Sequence, residues 1–328
     1  MDEIKQAKKS YSRIGWCYLA GTAVTNILQI AFSLFVKYYK PEWQESMSIL
    51  LIASSVTVYA IGLPLILLLA YRMPKTFPER HKMKWWQFLL AFIMCYALIY
   101  MSNLIGTMIT TIIGMVKGSA VQNNLVNFVT GGNMFLNFVL MVIVAPIMEE
   151  YIFRKVLVDR TIRYGQGLSI ALSGLMFGLF HGNLNQFAYA VVLGAFFAFL
   201  YIKTGNIKIT MLMHAIVNFM GGIWSAFLLK MLHYDELLAA DMENVDEVMN
   251  LVLNNLAGWL LFGVYALLLM AVVLAGIILL IVFHKRFAVG PGEIQIPKGE
   301  RFRTLILNPG MGVFCIVWII MIIVQLFQ

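Results

Sequence analysis

Charge is what this sequence has least of. Only 12% of its 328 residues are Asp, Glu, Lys or Arg, against 61% that are hydrophobic. Soluble domains run at about 25% charged and about 45–50% apolar, so a body of this size has too few charges to coat itself in water. Cysteine is nearly absent as well. Cys17, Cys95 and Cys315 lie far apart inside apolar blocks, and an odd number cannot close a full disulfide framework. All three read as small core residues. There is no internal repeat and no low-complexity tract, so disorder and collagen-like architectures are excluded too.

What remains is apolar sequence in blocks of about 20 residues, the length that crosses a bilayer's hydrocarbon core. The expected fold is therefore an all-α polytopic membrane protein. Nine spans are expected, near Ile14–Val36, Met47–Tyr71, Trp85–Val116, Asn133–Leu157, Gly167–His181, Gln186–Lys203, Ile207–Lys230, Asn255–Phe283 and Met311–Phe327. The polar start through Arg13 runs into a block too long for a signal-peptide core, so no cleavable signal is expected.

The formal charge of +8 does not point to nucleic acid, because Lys and Arg gather in the cytoplasmic loops of membrane proteins. With the N-terminus in the cytoplasm, all but four of the 24 basic residues fall inside. Lys37, Lys40, Lys117 and Lys230 fall outside, together with an acidic stretch from Asp235 to Glu247. The asymmetry predicts an external C-terminus. Residues 1–132 would hold helices 1–3 and residues 133–231 a four-helix catalytic core of helices 4–7. Residues 232–254 form an acidic external segment, expected as a solvated or interfacial helix. Residues 255–328 carry the last two helices and a cytoplasmic loop at 284–310, with Val289–Arg303 read as a loop or small hairpin.

An ionisable side chain inside a span costs about 2.5–3.5 kcal/mol on insertion scales, so it needs a partner or a task. Three neighbouring spans carry such residues. Span 4 ends in Glu149-Glu150 with Arg154 beyond, span 5 ends Phe177 to His181, and span 7 carries His214 and Asn218. Glu150 and Arg154 are i, i+4 neighbours, so the guanidinium can clamp that carboxylate. Glu149 is turned about 100° away and faces spans 5 and 7. His214 and Asn218 project side by side, and Phe177 can wall the site and hold His181. By residue count His181 lies deeper than Glu149 and His214, unless span 5 is short or tilted. Pro146 is expected to kink span 4 and free the Val142 carbonyl. His81, His233 and His284 fall in loops or at span ends, away from the chemistry.

A carboxylate and two imidazoles can serve a hydrolase. The carboxylate takes a proton from water as it attacks a peptide carbonyl, with His181 orienting the water or sharing the proton. His214 and Asn218 can donate to the oxyanion, worth ~3–4 kcal/mol per donor in a dry site. Glu149, His181 and His214 could instead hold zinc. Each residue also has an ordinary structural reading alone: an ion pair for Glu150–Arg154, a packed histidine for His181, an interhelical hydrogen bond for Asn218.

Glu149-Glu150-x-x-x-Arg154, Phe177-x-x-x-His181 and His214-x-x-x-Asn218, in this order on successive apolar helices, resemble the motifs of the CPBP family, the CAAX-protease and bacteriocin-processing intramembrane endopeptidases. The resemblance covers about 30% of the chain, Asn133–Lys230. It implies a glutamate-dependent endopeptidase without cofactor, with a metalloprotease as the older alternative. By the same resemblance Glu149 is the catalytic glutamate and His181 its water-activating partner. His214 and Asn218 form the oxyanion pair, and Glu150 with Arg154 the supporting ion pair. The expected partners are the lipid bilayer and a membrane-associated peptide or protein, and the expected location is a bacterial cell membrane. A non-catalytic binding, regulatory or bacteriocin-immunity role on the same scaffold stays open, as does ion transport through the cluster, though no charged residues continue a path across the membrane.

Overall fold

The computed structural model describes residues 2–121, 132–241 and 244–327, and among them there are helices and loops but no strand. Long helices follow the apolar blocks. They are α1 (Asp2–Tyr39), α2 (Met47–Ala70), α3 (Trp85–Lys117), α4 (Met134–Tyr164), α5 (Gln166–Phe180), α6 (Leu184–Thr204), α7 (Ile207–Met231), α8 (Leu256–Val282) and α9 (Pro309–Leu326). Eight of these are long and apolar enough to cross a membrane. The exception is α5, whose 15 residues reach only about 22 Å at the helical rise. The fifth block is thus a short helix, and the count of full-length candidates is eight.

Backbone demands explain much of the local architecture. Within a membrane every N–H and C=O must be satisfied by the protein, and α4 departs from that rule at Pro146, which has no N–H. The preceding stretch, Phe138–Val144, is π-helical, and the Ala145 N–H already bonds to the Leu140 carbonyl five residues back. In that register the carbonyl left without its donor is Met141, not Val142 as expected from an α-helical spacing.

Two apolar cores flank the centre of the molecule. One draws Tyr11, Ile14 and Tyr18 of α1, Leu63 and Ile66 of α2, Phe153 and Leu157 of α4, Leu172 and Phe177 of α5, and Phe314 and Trp318 of α9. The first helix packs along the last, so the N-terminal helices share this core with the C-terminal one. The second core joins Cys95 of α3, Phe196, Phe197 and Leu200 of α6 and Met213 of α7. The helix α8 packs on α3, where Gly276 lets it approach the Ile93 carbonyl; most of its surface stays exposed, as a lipid-facing helix requires. All three cysteines are free and buried.

Three segments outside the long helices refine the sequence reading. The acidic segment forms two short helices, Tyr234–Ala239 and Val245–Asn254, the second with no buried residue. The segment 288–297 pairs with no strand and is not a hairpin. It is a loop that buries Ile294 and Ile296 in the first core, held by the Ile294 N–H on the Arg163 carbonyl. Arg154 and Lys155, counted as loop charges, lie within α4, and Arg154 is fully buried.

Candidate functional site

The site forms where α4, α5 and α7 meet, between the two cores. Glu149 and Glu150 are adjacent on α4 and both buried, but they face different partners. Glu150 Oε1 accepts from Arg154 Nη2 at 2.9 Å and from His214 Nδ1 at 3.1 Å. Glu149 Oε1 accepts from the Tyr59 hydroxyl of α2 at 2.8 Å, while Glu149 Oε2 lies 3.9 Å from His214 Nε2. His214 is therefore set between the two carboxylates, one ring nitrogen toward each.

The ion pair is deeper than an interfacial clamp. Arg154 and Glu150 side chains are both fully buried, and the guanidinium carbon lies 5.1 Å from the Phe177 ring and 5.7 Å from the Phe197 ring. One ring comes from each core, so the cation sits between two aromatic faces. Its other branch donates from Nη1 to Ser173 Oγ at 3.0 Å, and the Ser173 hydroxyl donates in turn to the Phe153 carbonyl at 3.1 Å. Breaking a buried pair of this kind by removing one partner costs about 3–5 kcal/mol.

Phe177 is the hub that aligns the histidines. Its ring meets His181 edge-on at 4.8 Å and His214 at 5.7 Å, a favoured arrangement for aromatic pairs. Its carbonyl accepts from His181 Nδ1 at 2.8 Å. A carbonyl can only accept, so Nδ1 carries the proton and His181 Nε2 presents its lone pair. His181 is the residue that ends α5, and it is half-buried. Its ring and that of His214 both pack against Phe177. Gly194 of α6 makes room, because a Cβ there would stand 2.8 Å from the Phe177 Cβ.

Asn218 donates from Nδ2 to the Met141 carbonyl at 2.8 Å. It supplies the donor that Pro146 lacks, so the interhelical reading of Asn218 is realised in the structure. The amide lies one turn beyond His214 on α7 and is half-buried.

Two residues at the site escaped the sequence reading. Tyr59 stands alone as a polar-tipped ring in the middle of an aliphatic block, and such a ring buried in apolar surroundings seeks a partner; that was its one signal. Ser173 lies one turn before Phe177 and was hidden by its small size. The side chains of His81, His233 and His284 pair locally, with Glu79, Glu236 and the Ile281 carbonyl. Among the described residues no three His, Cys, Asp or Glu side chains gather closely enough to hold a metal ion. His214 has its Nδ1 committed to Glu150, and a zinc set of Glu149, His181 and His214 does not converge on one point.

The fold and the site together define a helical polytopic membrane protein with a buried, polar carboxylate–histidine centre. Residues 131–220 match the family model described as Type II CAAX prenyl endopeptidase Rce1-like, a span containing every motif residue from Glu149 to Asn218. A curated protein of Bacillus subtilis, named "Putative membrane peptidase YdiL", is 36% identical over 80 residues. That match covers 23% of this chain and 32% of the relative, so the chain spans about a third of the relative it matches. No solved structure matches the chain. Over these central helices the chain is therefore similar to the CPBP family.

Proposed function

We propose that this protein is an intramembrane endopeptidase that hydrolyses a peptide bond of a membrane-associated protein or peptide near the cytoplasmic interface. The observation that carries the reading is Glu149: a buried carboxylate held by Tyr59 on one oxygen and facing His214 with the other. A water between Glu149 and His181 attacks the carbonyl carbon and gives its proton to the Glu149 carboxylate. The C=O electron pair moves onto oxygen, and the oxyanion takes hydrogen bonds from His214 Nε2 and the second Asn218 amide proton. The intermediate then collapses, the C–N bond breaks, and the leaving amine takes the proton from Glu149. For His214 to donate from Nε2 while Nδ1 donates to Glu150, the ring must carry both protons, with the Glu150 carboxylate as its counter-charge.

No step is routed through a metal, because the donor set is not gathered around a common point. Chelation is expected to leave cleavage unchanged. Loss on chelation with recovery on zinc would reassign Glu149, His181 and His214 as ligands.

The test compares membrane peptides by mass spectrometry in strains carrying the wild-type protein, Glu149→Ala or His181→Ala. Uncleaved substrate should accumulate with both variants while membrane insertion is unchanged. Full cleavage by Glu149→Ala would sink the proposal. A second reading, a non-catalytic binding, regulatory or immunity protein, draws on Asn218 being engaged with Met141. It requires that Glu149→Ala rescue the cellular phenotype of a deletion.

A further inference from the structure

One cluster of cations lies apart from the carboxylate–histidine centre. A cavity of about 230 Å³ is lined by Gln6, Lys9, Ser10 and Arg13 of α1, Met73 and Pro74 after α2, and Arg160, Arg163 and Tyr164 at the end of α4. Four of these are cationic and none is a carboxylate. Lys9 and Arg13 are exposed, Arg163 is half-buried, and Arg160 is 2% exposed. The charges thus run from rim to floor.

Arg160 is the informative member. Its Nε donates to the Ala70 carbonyl at 2.9 Å and its Nη1 to the Val156 carbonyl at 2.8 Å. Its Nη2 is buried and has no partner. A longer bond runs from Nη1 to the Lys155 carbonyl at 3.5 Å, so all of its bonds go to neutral carbonyls and, among the described residues, no carboxylate is hydrogen-bonded to the guanidinium. The neighbouring Asp159 is engaged by Tyr201 and Lys155 instead. Arg163 has a carboxylate nearby in Glu293, whose Oε2 lies 3.7 Å from its Nε and which is half exposed. A buried cation with an orphaned donor, ringed by three more, is built for an anion with several acceptor oxygens.

We propose that this cavity binds a phosphate group, with Arg160 Nη2 donating from the floor and Lys9, Arg13 and Arg163 closing around it. Arg160 stands eleven positions beyond Glu149 on α4, about 16 Å along the helix. The site is therefore distinct from the proposed centre of hydrolysis and does not depend on it. All four cations belong to segments expected on the cytoplasmic side, so the phosphate can come from an anionic lipid headgroup or from solution.

The test titrates the purified full-length protein in nonionic detergent with inorganic phosphate and, separately, with short-chain phosphatidylglycerol, reading bound equivalents by native mass spectrometry and the thermal midpoint. Short-chain phosphatidylcholine, the same phosphodiester without net charge, is the control. One saturable equivalent of phosphatidylglycerol assigns the lipid source, and one of phosphate the soluble source. The rim variant Lys9→Gln/Arg13→Gln is expected to fold normally and to bind at least about tenfold more weakly, as the loss of two cations near a phosphate predicts. Arg160→Lys should weaken binding further where it folds. No saturable binding of either anion by the wild type, or undiminished binding by the rim variant, would overturn the proposal.

Discussion

The Tyr59 hydroxyl donates to Glu149 Oε1 at 2.8 Å, tying α2 to a carboxylate ninety positions away in sequence. One oxygen of Glu149 is thereby fixed while the other faces His214. Tyr59→Phe removes that bond and keeps the ring. A hydrogen bond to a charged group is worth about 1.5–3 kcal/mol, so kcat should fall by about 10- to 100-fold with KM unchanged. Steady-state cleavage by membranes of matched protein content measures it, and an unaltered kcat would remove Tyr59 from the positioning of Glu149.

Glu150 serves Arg154 and His214 from a single oxygen. Arg154→Ala leaves a buried carboxylate without its cation and should lower stability by about 3–5 kcal/mol. The double substitution Glu150→Leu/Arg154→Met removes both charges and should recover most of that loss. Activity should not return with it, because His214 has lost its anchor. Denaturation in detergent and cleavage assays on the three proteins separate the two effects.

Asn218 and Pro146 form a compensating pair across α7 and α4. Asn218→Ala strands the Met141 carbonyl and should cost about 1 kcal/mol. In a Pro146→Ala background the backbone again offers an N–H, so the same substitution should cost clearly less. A double-mutant cycle on stability reads the coupling, and additive effects would show that the Met141 bond is not a substitute for the missing N–H.

Gly194 gives Phe177 its place between the histidines. Gly194→Ala should push that ring and cost about 1–3 kcal/mol by overpacking, with a drop in cleavage beyond what the stability loss explains. Gly263, where an added Cβ meets nothing within 4 Å, is the control and should tolerate alanine in both assays.

The helices and the motif residues were legible in sequence for a simple reason. Hydropathy is a property of each block alone, and i, i+4 spacing settles which side chains share a helix face before any packing occurs. Those rules placed Glu150 against Arg154 and His214 beside Asn218. They could not place Tyr59, because a contact between α2 and α4 depends on how two distant helices pack. They misassigned the carbonyl freed by Pro146 for a related reason: the π-helical register of 138–144 follows from the fit of α4 against its neighbours, not from its residues one by one.

Composition and periodicity by themselves determined that this chain is a helical membrane protein with its few intramembrane charges gathered on α4 and two histidines near them. Tertiary structure alone decided what each polar group does. It set His214 between two carboxylates, committed Asn218 to the Met141 carbonyl and left Arg160 with an open donor beneath a ring of cations. In an apolar interior a polar atom takes whichever partner the packing brings within reach, and that choice exists only once the helices have met.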